Sequence, residues 1–160
     1  MGTVSARRAE SAVEILHRLE GAIVELRFLL ERGYRRTHAL GFVSEHHQLV
    51  VEDRNVLERV VFPREEAERR RARLVSAQAL AGAEVVLDGY NVIIGVECLL
   101  AGRPLFRCDD GLTRDVAAVR GRHRPEARTR EAVDRICELL ESSGASSALF
   151  VLDAQVSRSG

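Results

Sequence analysis

The chain contains no lysine: all 24 of its basic residues are arginine. That absence excludes a Walker P-loop and any Schiff-base or lysine general-base chemistry, because each needs an amine that a guanidinium cannot replace. Cysteine is also sparse. Cys98, Cys108 and Cys137 are odd in number, widely spaced and free of any CxxC pair, so neither a disulfide framework nor a zinc knuckle is indicated, and they read as core or bystander thiols. No apolar run approaches the roughly 18 residues a membrane helix requires. The opening MGTVSARRAESAVE has no apolar h-region, so no secretory signal is expected and the cytoplasm is the default address. Internal repeats and low-complexity tracts are missing too.

What remains is a 160-residue chain with 46% apolar and 30% charged residues. The first figure is too high for a disordered chain and the second too high for a membrane protein, so a soluble globular fold of one domain or two small ones is expected. The net charge of zero points to no class of partner.

Hydrophobic periodicity divides the chain near Gly82. In residues 1–82, an amphipathic helix is predicted over 5–32, with Val13, Leu16, Leu19, Ile23, Leu26 and Leu30 on one stripe and Gly33 as its stop. A short helix carrying Leu40 and Val43 follows. A third helix runs through Val56 to Val61 and ends at Phe62-Pro63. Residues 63–80 read as a charged helix with i,i+4 Glu–Arg pairs, a solvated face more than a nucleic-acid arm because Glu65, Glu66 and Glu68 dilute the arginines. His46 and His47 read as surface residues, with no second ligand pair at metal spacing.

In residues 83–160 the period changes. Val85 to Leu87 form a continuous apolar run, as in a strand covered on both faces, followed by Asp88-Gly89 and a helix from Asn91 to Leu100. A polar stretch over 103–121 contains Asp109-Asp110. Pro125 opens another helix with Val133, Ile136, Cys137 and Leu140 on one face, and Ala148 to Leu152 forms a second strand ending at Asp153. Strand, helices, strand implies a parallel crossover, so Asp88 and Asp153 should leave the same carboxyl edge, where open α/β sheets bind ligands. Two nearby carboxylates repel unless a proton or cation lies between them, and oxygen-only donors favour Mg2+ or Mn2+ over zinc. Glu97 shares a face with Ile93, Val96 and Leu100; it points toward Asp88 or, if the helix is rotated slightly, into solvent. A hairpin with Asp88-Gly89 in a type I′ turn is the alternative for this stretch, and it would make Asp88 turn chemistry alone. The helical spacing of Ile93, Val96 and Leu100 favours strand followed by helix.

These residues resemble a known pattern. Leu87-Asp88-Gly89-Tyr90-Asn91 is similar to the opening motif of NYN domains, a branch of the PIN-like ribonuclease fold. The stretches CDDGLTRDVAAVRGRHR and VLDAQVSRSG, with Arg32-Gly33-Tyr34 and the arginines around Asn55, resemble a family of archaeal and bacterial proteins of unknown function that joins an N-terminal helical domain to a PIN-like C-terminal domain. The resemblance implies an α/β, PIN/NYN-like parallel-sheet domain over 83–160 preceded by a helical domain over 1–82. It also implies a metal-dependent ribonuclease with Asp88, Asn91, Glu97, Asp110 and Asp153 as catalytic candidates. Asp88, Asp109, Asp110 and Asp153 are the metal candidates, and Asp115 lies near the site. Arg114, Arg120, Arg122 and Arg124 are expected to contact RNA phosphates with Ser157 and Ser159, although arginines pairing with Asp109, Asp110 and Asp115 is an equal alternative. PIN-like domains continue through further strands, whereas this chain stops after the second. The expectation is therefore either a truncated form or an edge supplied by the N-terminal half or by another copy, and hence a homo-oligomer, a dimer first. A non-catalytic RNA- or nucleotide-binding module and a structural protein built on the first helix remain open alternatives.

Overall fold

The computed structural model describes residues 10–116 and 127–152. The element order is α1 (Ala12–Arg18), α2 (Glu20–Glu31), α3 (Arg36–His46), α4 (Val51–Val60), α5 (Arg64–Arg71), a short 3₁₀ turn (Ala77–Leu80), β1 (Glu84–Asp88), α6 (Gly89–Leu100), β2 (Phe106–Arg107), β3 (Thr113–Arg114), α7 (Ala127–Ser142) and β4 (Ser147–Val151). It is a mixed α/β fold, mostly helical, with one small parallel two-stranded sheet and one short antiparallel pair. No helix among the described residues is long and apolar enough to cross a membrane.

Local chemistry accounts for most of the boundaries. Ser11 caps α1 through a box in which its hydroxyl accepts from the Glu14 N–H while the Glu14 carboxylate takes the Ser11 N–H. The single first helix expected from the apolar stripe is interrupted at Leu19 (φ −94°, ψ 5°), which is itself buried, so α1 and α2 share one hydrogen-bonded run with an irregular joint. Below that joint Ile23, Leu26 and Leu30 are buried as the spacing requires, but Val13 is 76% exposed. The charged helix is shorter than expected, ending at Arg71.

The main core joins α2, α3 and α4 through Leu26, Leu40, Val43, Leu57 and Val61. It also takes in Phe106 and Cys108 from the β2–β3 hairpin. Residues that follow β1 in sequence thus complete the core of the helical half. Arg18 ties the ends of this layer together, donating to both oxygens of Asp53 at 2.6 and 3.0 Å.

In the second layer, β1 and β4 pair in parallel with Asp88 opposite Val151. The crossover is the one expected, and Asp88 is the last residue of a strand that runs straight into α6, which excludes the hairpin alternative. Ile93, Ala132, Ile136 and Leu140 form a second core against Val85, Leu87 and Phe150. Burial on both faces of β1 is not observed. Val86 is 69% exposed and its register partner Leu149 is 60% exposed, because helices cover only the face bearing Val85 and Leu87.

Candidate functional site

The strand end is tightly built. Asp88 accepts a hydrogen bond from Asn91 Nδ2 at 2.6 Å, one turn into α6, so the motif's aspartate and asparagine act as a pair on the exposed rim. Gly89 between them is dictated by packing. A Cβ there would lie 2.5 Å from the Leu152 side chain and 3.1 Å from the Val151 carbonyl oxygen. The end of β4 therefore abuts the start of α6, and the chain leading to Asp153 departs beside Asp88. Asp153 itself lies outside the described residues, as do Arg120, Arg122, Arg124, Ser157 and Ser159.

Asp109 and Asp110 are engaged elsewhere. Arg27 Nε and Nη2 donate to the two oxygens of Asp109 at 2.9 and 2.6 Å, and the Phe62 N–H adds a bond at 3.1 Å. Asp110 is completely buried, and its oxygens receive Arg114 Nη1 and Nη2 at 2.8 and 2.7 Å, Arg70 at 3.4 Å and the Leu112 N–H at 3.2 Å. Burial works to raise the Asp110 pKa, but the Arg114 and Leu112 hydrogen bonds and the charges of Arg114 and Arg70 together outweigh it, and the carboxyl is held below its ordinary value. The turn these acids shape carries Gly111 at φ +83°, pressed against Leu74 and Arg71. Around them Arg36, Arg70 and Arg114 set their guanidiniums 4.9, 4.7 and 5.3 Å from the Phe62 ring centroid. Of about four lone-pair positions on each carboxylate, these bonds occupy all four on Asp110 and three on Asp109, so the two acids act as clamps between the hairpin and the helical layer. Arg114, expected at phosphate, is one jaw of that clamp. Among the described residues no trio drawn from Asp88, Asp109 and Asp110 reaches metal-sharing distance.

Glu97, expected either toward Asp88 or in solvent, is engaged by a residue of α7. It is half-buried, and its Oε1 accepts a hydrogen bond from Thr129 Oγ1, bracing α6 against α7.

A different acid from the same polar segment has no arginine ion pair among the described residues. Asp115 is 5% exposed, and its Oδ1 has no hydrogen-bond partner among the described residues. It lines a cavity of about 500 Å³ between α6 and the hairpin, together with Asn91, Arg59, Arg114 and the apolar Val96 and Leu99. An unpartnered carboxylate oxygen at such depth costs on the order of 1–3 kcal/mol, and groups of this kind mark strained, catalytic or ion-binding positions. Spacing alone gave no means of separating Asp115 from Asp109 and Asp110. Burial raises the Cys98 thiol pKa, and the Asp115 charge adds to the effect.

Residues 77–160 match the model of the domain of unknown function DUF5616, and the chain belongs to that family. Residues 18–73 match a second model, described as the protein of unknown function DUF434. An uncharacterized protein of Methanocaldococcus jannaschii is 32% identical over 142 residues, which are 89% of this chain and 68% of that relative. No solved structure matches the chain.

Proposed function

We propose that the protein is a divalent-metal-dependent ribonuclease of the PIN/NYN-like type, acting on RNA phosphodiesters at the carboxyl end of β1. One observation carries the reading: the buried, unpartnered Oδ1 of Asp115 lines the same cavity as Asn91, whose amide holds the strand-end Asp88. Oxygen donors of this kind suit Mg2+ or Mn2+. Asp88 and Asp115 would hold the ion, with Asp153 joining them from beyond β4. When bound, the ion supplies a polarised phosphate and an activated water.

The chain's own residues do the rest. Asn91 fixes the rotamer of Asp88 by donating to one oxygen and leaving the other available. Asp115 brings a carboxylate to the cavity wall, and Arg59 on the same wall contributes the positive charge a phosphate needs. The arginines at 120, 122 and 124 would add to the protein's attraction for RNA phosphates.

The test is cleavage of single-stranded RNA with Mg2+ or Mn2+ by the parent, Asp88→Asn and Asp115→Asn. Parent activity lost in both variants, with folding intact, supports the reading. A parent that binds RNA without cleaving it under either ion makes the protein a binding module instead. Replacing Arg120, Arg122 and Arg124 together should weaken RNA binding and flatten its salt dependence.

A further inference from the structure

Away from the strand end, the helical half brings a different set of donors together. Glu25 lies in the middle of α2, His46 is the last residue of α3 and His47 caps that helix. Their ligand atoms all lie within 4.8 Å of one another. We propose that Glu25, His46 and His47 form a binding site for a divalent transition-metal ion of the zinc type, distinct in place and donor chemistry from the oxygen-rich strand end.

Several features prepare these side chains for an ion. His47 Nε2 already sits 2.9 Å from Glu25 Oε2, sharing a hydrogen with it. Donors around a tetrahedral zinc at about 2.0–2.1 Å stand about 3.3 Å apart, so this pair opens by a few tenths of an ångström when the ion takes the hydrogen's place. That hydrogen moves to His47 Nδ1 or to water, and the Nε2 lone pair binds the metal. His46 must close in by more, and its ring is steered from two sides. It stacks parallel to Phe42 at 6.2 Å and meets the His47 ring at right angles at 5.0 Å. On α2 one turn before Glu25 stands Gly21, where a Cβ would lie 3.4 Å from His47 Cε1. Any side chain longer than alanine at that position would push the imidazole off its course toward Glu25.

Two imidazoles and one carboxylate are borderline donors that select zinc, cobalt, nickel or copper over magnesium. Three protein ligands leave a fourth position to water, and the exposure of His46 keeps that position open to solvent.

Chelator-stripped protein titrated calorimetrically with Zn2+, and with Co2+ read by its visible absorption, tests the site. The expected result is one equivalent bound at these residues, with a raised melting temperature. Glu25→Gln, His46→Gln and His47→Ala should each weaken it by more than about tenfold. Asp88→Asn should bind zinc as the parent does, which separates this site from the proposed nuclease centre. All four positions are exposed or half-buried, and each variant's melting curve without metal verifies its fold. Absence of one-equivalent binding by the parent, or equal binding by the parent and the three variants, overturns the proposal.

Discussion

The two layers spend their charged residues differently. In the helical layer with its docked hairpin, the acids are consumed: Asp53 and Asp109 each accept two guanidinium bonds and Asp110 three, from arginines distant in sequence or across a turn. In the α/β layer, among the described residues, Asp88 is paired with an amide, and Asp115 at its boundary has one oxygen with no hydrogen-bond partner. The apolar residues follow the same division. The first core closes around completely buried Leu26, Val43, Leu57 and Phe106, whereas the second leaves Val86 and Leu149 on an open sheet face. Charges that are neutralised and packed hold a fold together. Charges and surfaces left over are where binding is to be sought.

The contrast is sharpest at Asp110. Asp110→Ala strands the Arg114 guanidinium and the Leu112 N–H, and should cost about 4 kcal/mol in urea unfolding at neutral pH. Because the folded-state pKa is depressed, the carboxylate's stabilisation is full above about pH 4 and falls away as pH drops through the lowered value. Parent and variant should therefore converge in acid. A constant gap down to pH 2 would mean that the loss is one of packing and not of charge.

Next come the two cores. Leu57→Ala should cost about 3 kcal/mol, and Leu140→Ala, at the thinner core's edge, nearer 2 kcal/mol. Reversed values would show that the α/β layer is the better packed.

The contrast predicts almost nothing for the stability of Asp88→Asn, since asparagine keeps an oxygen to accept from Asn91, and everything for its chemistry. The melting temperature without metal should stay the same or rise, while stabilisation by Mn2+ and any RNA cleavage disappear. A variant that still responds to manganese as the parent does would sink the metal reading of this strand end.

The smallest effect is expected at Val86→Thr, within about 0.5 kcal/mol, as for an exposed position. If a second copy covers this face, the loss is larger and grows with protein concentration.

Much of this was legible in periodicity and punctuation. Gly33 as a helix stop, the strand running into a helix at Asp88-Gly89, and the stripe of Ile136 and Leu140 needed only local rules. The site was harder to read, because three aspartates within seven residues differ only in what reaches them. Arg27 is 82 positions from Asp109 and Arg70 is 40 from Asp110, so no window of sequence separates the clamped acids from Asp115. Glu25 and His47 are likewise neighbours only because α2 and α3 fold back on each other, 22 residues apart along the chain. The open face of β1 was misread for a related reason. A continuous apolar run describes the strand and not the number of layers beside it.

Phe106 and Cys108 seated in the helical core have a consequence for the order in which the protein forms. During synthesis the helices through Arg71 leave the ribosome first and can begin to associate through their local contacts. Their core stays unplugged, and Arg27 and Arg70 keep water for company, until the hairpin has emerged and its aspartates arrive. The core of the N-terminal half is thus finished only by a segment made after the first strand of the other half.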